Sequence, residues 1–277
     1  MAKNIAFVGG ERQVNFTDPL DYLNGDFGMQ WEPEVTALPN GHFVVVYENA
    51  FEGDFEDLDL MWQEFDETGA RLAGPHRLES AINDQLAVDV AARASGGFAA
   101  AWMERVGKIQ LALVGAGQTA EPLLFPIADP GTIHAASPRL ATLANGSYFV
   151  AYQQGEGPFE EEYDIRFAIV NAAGNGFVKA DRILANTAAD ENDLDLAASG
   201  NNTLVAWSEE GDAATKIWGG SGHGCCSRYP FHFTWTPSPE PHLAWSNLRS
   251  RPGQSALAIP RGWPSYARQR PPATHQN

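Results

Sequence analysis

The stretch NGHFVVVYENAFEGDFEDLDLMWQEFDETG, residues 40–69, returns as NGSYFVAYQQGEGPFEEEYDIRFAIVNAAG, residues 145–174. The offset is 105 residues for the Asn-Gly pair, for Tyr47 and Tyr152, for Asp59 and Asp164, and for Gly69 and Gly174. Two shorter relatives are centred on FAAAWMER (residues 98–105) and LVAWSEE (residues 204–210). A chain that copies one segment at a fixed period is a repeat protein, and each copy is one supersecondary unit.

Working outward from residue 40, Glu34–Leu38 reads as a first strand and Pro39-Asn40-Gly41 as a tight turn. His42–Glu48 is a second strand, Leu58–Phe65 a third and His76–Glu79 a fourth. Asn-Gly is the favoured pair where both central residues of a hairpin turn need positive φ. The aromatics Tyr47, Trp102, Tyr152 and Trp207 follow one another at spacings of 55, 50 and 55 residues. Four short strands per unit of about 50 residues predict an all-β fold, an incomplete β-propeller of about four four-stranded antiparallel blades. The near-continuous apolar runs FVVVY, FAAAW, YFVAY and TLVAW fit inner strands covered on both faces. A β-sandwich or a β-solenoid of the same meanders is the competing architecture. The expected divisions are N-terminal strands and a loop at 1–31, repeats at 32–80, 86–128, 137–185 and 193–217, and an irregular basic tail at 218–277.

That tail departs from the rest in composition. Residues 1–212 hold 34 acids and 11 bases, whereas residues 213–277 hold Glu240 and seven bases. It is rich in Pro, Arg, Ser and Trp without strand or helix periodicity, and reads either as out-of-frame translation or as a basic tail. The whole chain of 277 residues carries a formal charge of −17, which disfavours nucleic acid and anionic membranes as partners. No run approaches the roughly 20 apolar residues of a membrane span. The start, MAKNIAFVGGERQ, carries no signal-peptide apolar run, so the expected location is cytoplasmic, or extracellular by a route that needs no such signal. Cys225 and Cys226 are adjacent, which is poor disulfide geometry.

The acidic connections ENAFEGDFEDLD and QQGEGPFEEEYD, at matching places in the first and third units, draw attention for chemistry. Crowded carboxylates are relieved by a hard cation with six to eight oxygen ligands, so Asp54, Asp57, Asp59, Glu161, Glu162 and Asp164 are candidate calcium ligands, with solvation as the plain alternative. Asp59 and Asp164, at the heads of their strands, are also the best placed for glycoside hydrolysis, which needs two carboxyl groups about 5 to 9.5 Å apart. The Ser-x-Asp-x-Gly-x-Thr-Trp box of sialidase-like blades is absent. No HExxH, no paired histidines at ligand spacing and no Ser-His-Asp signal emerges.

The pattern in PEVTALPNGHFVVVY and PRLATLANGSYFVAY, followed by DIRFAIVNAAGNGF and RILANTAADEND, resembles a repeat of large secreted bacterial proteins of the RTX or hemolysin-type calcium-binding class. The resemblance covers about residues 32–217. It implies a blade-like β region of the kind that precedes calcium-binding nonapeptides and a C-terminal export signal; with the acidic loops and the aromatics beside them, the expectation is a non-enzymatic binding, adhesion or spacer module with calcium as cofactor and a carbohydrate or other cell-surface ligand as partner. The alternatives are a propeller enzyme acting on glycans and an inactive truncated fragment. An enzyme would gather two or three carboxylates from different blades at the axis.

Overall fold

The computed structural model describes residues 30–50, 58–79, 84–105, 107–128, 134–155, 163–186, 190–210, 216–223 and 225–227, and every regular element within them is a β-strand. The first sheet is β1 (Gln30–Ala37), β2 (Phe43–Ala50), β3 (Leu58–Phe65) and β4 (Arg71–Glu79). The second is β5 (Gln85–Ala92), β6 (Phe98–Glu104), β7 (Lys108–Val114) and β8 (Leu124–Ala128). The third is β9 (His134–Thr142), β10 (Tyr148–Gly155), β11 (Asp164–Val170) and β12 (Phe177–Ala185). The fourth is β13 (Asp190–Ser199), β14 (Asn202–Glu210), β15 (Lys216–His223) and β16 (Cys225–Ser227). Each sheet is an antiparallel meander whose strands pair in chain order.

The expected tail from residue 218 falls differently. β15 pairs along β14 as far as Gly222 opposite Thr203, and β16 adds a short fourth strand. The remaining tail residues, 228–277, and the N-terminal residues 1–29 lie outside the described residues.

The sheets are held together through their faces. Successive side chains on a strand point to opposite faces, so Val44 and Val46 face the second sheet while Phe98, Ala100 and Trp102 face back towards them. Ala99 and Ala101 turn the other way, onto Tyr148, Val150 and Tyr152 of the third sheet. Phe149 and Ala151 then face Val205 and Trp207 of the fourth. This sharing explains why β6 and β10 read as unbroken apolar runs: both faces are core. Small residues at Ala99, Ala100 and Ala101, all fully buried, let neighbouring sheets approach closely.

The first strands of the sheets, β1, β5, β9 and β13, are neighbours in succession, and they line the axis of the arrangement. The recurrent aromatics sit at one depth. Tyr47 pairs with Met61, Trp102 with Gln110, Tyr152 with Arg166 and Trp207 with Trp218, each on the third strand of its own sheet.

Candidate functional site

Each axial strand breaks its register once. The irregularity lies between Trp31 and Glu34 in β1, between Leu86 and Asp89 in β5, opposite Ala151–Gln153 in β9, and between Asn192 and Asp195 in β13. One residue at each break has positive φ: Glu32 (44°), Ala87 (53°), Ser137 (47°) and Asp193 (50°). Among the described residues these are the only non-glycine positions in that region. A side chain there is strained by of order 1–3 kcal/mol, and a β-bulge re-aims the residues beside it. Four bulges at one depth of four axial strands are therefore a device of the repeat.

Two residues beyond each bulge the chain places Glu34, Asp89, Arg139 and Asp195. They pair with Val46, Ala101, Ala151 and Ala206, always the residue before the recurrent aromatic of the second strand. Four different sheets thus present three carboxylates and one guanidinium at a single register position beside the axis. The groups act on one another: Asp89, Arg139 and Asp195 all perturb Glu34, and Arg139 and Asp195 perturb Asp89. Desolvation, then the charge of Asp89, raises Glu34 above the usual carboxylate range, and Arg139 pulls the other way. Desolvation also raises Asp89, against the N–H of Leu140 and the charge of Arg139.

Hydrogen bonding separates their roles. Asp89 is held at both ends: Oδ1 accepts the N–H of Val90 at 2.8 Å and Oδ2 that of Leu140, in the next sheet, at 2.6 Å. Asp195 repeats half of this, its Oδ1 accepting the N–H of Leu196 at 2.8 Å. Glu34 remains exposed. Arg139 donates from Nη1 to the Pro138 carbonyl at 2.9 Å, and among the described residues it forms no ion pair.

The bulges are in turn buttressed from the second strands. Glu48, after Tyr47, accepts the N–H of Ala87 in the next sheet at 2.8 Å. Gln153, after Tyr152, donates to the Glu191 carbonyl at 2.8 Å and to Asn192 Oδ1 at 3.1 Å. Ser208, after Trp207, donates to Asp193 Oδ2 at 3.1 Å within its own sheet.

Of the carboxylates expected to hold calcium, two lie among the described residues. Asp59 is buried and ion-paired to Arg77 at 3.2 Å. Asp164 accepts from Asn186 at 2.8 Å, in a different sheet. Asp54, Asp57, Glu161 and Glu162 lie outside the described residues. No group of three or more His, Cys, Asp or Glu side chains among the described residues is placed to hold a metal ion. No helix among the described residues is long and apolar enough to cross a membrane.

In the sequence the axial four do not stand out, because dense acidic runs carry the stronger carboxylate signal. The signal of the four is sparser. Aligned on the repeat, WEPEV, LAVDV, ASPRL and NDLDL each put one ionisable residue immediately before the apolar residue that opens the strand's regular pairing.

No protein-family model matches the sequence, and no curated protein does. Among solved structures the chain is similar to a PL25 ulvan lyase bound to a GlcA(1-4)Rha3S saccharide, with a TM-score of 0.51 at 11% identity over 69% of this chain and 52% of that one. It thus spans about half the length of that lyase. It is also similar to a thermostable family-43 glycoside hydrolase, with a TM-score of 0.51 at 13% identity over 76% of this chain and 78% of that one. These likenesses correct the expectation of a non-enzymatic binding, adhesion or spacer module: both of these solved structures are carbohydrate-active enzymes. What the likeness shows of this chain is its fold, an all-β propeller-like arrangement of four-stranded antiparallel sheets.

Proposed function

We propose that the chain is a glycan-acting enzyme that hydrolyses glycosidic bonds at the axial cluster of Glu34, Asp89, Arg139 and Asp195. The observation that carries this reading is the register: four sheets each place one ionisable residue two positions beyond a strained bulge, and the charges of Arg139 and Asp195 reach both Glu34 and Asp89. Glycoside hydrolysis requires one carboxyl that keeps a proton and one that does not. Glu34 fits the acid: desolvation first, then the charge of Asp89, favours its protonated form against the pull of Arg139. Asp195 fits the base or nucleophile by its place in the register, with one oxygen oriented by the Leu196 N–H and the other left for water or substrate. Asp89, bound at both oxygens, is a positioning residue between the second and third sheets. Arg139 supplies planar donors for the hydroxyl or carboxylate oxygens of a sugar ring. The saccharide carried by the lyase and the hydrolase activity of the second likeness support a glycan as ligand.

The test is a panel of neutral and uronate-containing polysaccharides, read as new reducing ends with and without an unsaturated terminal sugar. Cleavage without unsaturation is expected, falling at least about 100-fold in Glu34→Gln and in Asp195→Asn. Cleavage that survives both substitutions, or no cleavage of any polymer, rejects the reading.

A further inference from the structure

Glu48 is a buried carboxyl that the proposed chemistry leaves unused. It lies on β2, 3% exposed, on the face turned to the second sheet. Its Oε1 accepts the Ala87 N–H at 2.8 Å across the junction between the two sheets. Ala87 is the strained residue of the β5 bulge, two positions before Asp89. At the matching place in the third sheet stands Gln153, whose amide binds the β13 bulge of the fourth. One junction is therefore fastened by an amide, which cannot ionise, and the other by a carboxyl, which can.

The surroundings of Glu48 favour its neutral form. β3 sets Leu60 opposite it. The charged groups that act on it are Glu32 of β1 and Asp84 ahead of β5. Asp84 is itself ion-paired to Arg105 at 2.8 Å, and no cation among the described residues pairs with Glu48. Burial pushes the group up to about 7 and outweighs the Ala87 N–H, whose bond favours the ionised form; Glu32 and Asp84 add to the rise. A neutral carboxyl still accepts the Ala87 N–H through its carbonyl oxygen. An ionised one, buried without a cation, gains by reaching water.

We propose that Glu48 is a positioning residue for the axial site and works as a proton-dependent clasp: its neutral carboxyl holds the β5 bulge, and with it Asp89, against the first sheet, and ionisation loosens that hold. The positioning role rests on the axial reading; the clasp itself does not.

The sign follows from linkage. A carboxyl raised in the folded state contributes stability that is present in full below its unfolded value, near 4.3, and lost as pH rises through about 7. Glu48→Gln keeps an oxygen acceptor and copies the solution used at Gln153. Thermal melting of wild type and Glu48→Gln from pH 5 to 8 is the experiment. The wild type is expected to lose about 5 °C relative to the variant over that range; parallel curves overturn the clasp. Carbon NMR of glutamate carboxyls, wild type against Glu48→Gln, reads the same group directly. A signal with its midpoint near 7 that vanishes in the variant supports the clasp, and a midpoint in the ordinary range overturns it. If the polysaccharide panel yields no cleavage, the axial reading falls while these two measurements still decide the clasp. If cleavage is found, its kcat should decline above pH 7 more steeply in the wild type than in Glu48→Gln, with KM level or rising; equal profiles overturn the positioning role.

Discussion

Tyr152 shows how one side chain can be core and polar anchor at once. Its ring is fully buried in the cluster shared by the second and third sheets. Its hydroxyl donates to Asp181 Oδ1 at 2.5 Å, and Arg166 donates to the same carboxylate through Nε at 2.8 Å and through Nη2. Burial and the Asp181 charge raise the phenol well above its ordinary range. Burial works against the Asp181 carboxylate, but the bonds from Arg166 and Tyr152 hold it below the usual value. A depressed carboxylate contributes stability above its unfolded value and loses it as pH falls through the folded one. Tyr152→Phe is therefore expected to cost about 1 kcal/mol, and Asp181→Asn to flatten the acid limb of a stability–pH curve; urea unfolding between pH 3 and 7 reads both. At the matching register Trp102 is as deeply buried, and its indole N–H finds no acceptor among the described residues.

At the scale of the element, the hairpin turns differ in what they tolerate. Gly41 has φ 90° with open space where a Cβ would stand, so Gly41→Ala meets backbone strain alone, about 1 kcal/mol. Gly97 has φ 75°, and a Cβ there would lie 2.2 Å from the Val114 carbonyl oxygen, backbone that cannot step aside. Gly97→Ala is expected to cost at least about 3 kcal/mol, with the larger fall in urea midpoint separating the two turns. The axial strands carry the opposite device. Their bulges hold Glu32, Ala87, Ser137 and Asp193 at positive φ without glycine; the bond from Glu48 braces the β5 bulge, and those from Gln153 and Ser208 brace the β13 bulge.

At the scale of the molecule, stability passes from sheet to sheet through three shared clusters. Phe98 lies between the first and second sheets, edge-on to Trp62 with ring centroids 5.3 Å apart. Phe98→Ala is expected to cost about 3–5 kcal/mol and, because each sheet contacts only its neighbours, to raise amide exchange in the first two sheets more than in the fourth. The outermost faces are less covered. Val35 and Phe43 on the first sheet and Leu204 on the fourth point away from the shared clusters and stay 63%, 40% and 44% exposed.

The sequence by itself determined the repeat, the strand order within each unit and the aromatic that marks each second strand. These are local facts, set by turn chemistry and two-residue alternation, and the 105-residue echo makes them legible. Only the tertiary structure decided which acids meet. Asp59 and Asp164 look prominent in acidic runs, yet one is neutralised by Arg77 and the other bonded to Asn186. Glu34, Asp89, Arg139 and Asp195 stand 50 to 56 positions apart, with no run of like charge to link them. What unites them is a bulge repeated at one depth on four strands that share an axis, and a convergence of that kind arises only when the sheets pack face to face.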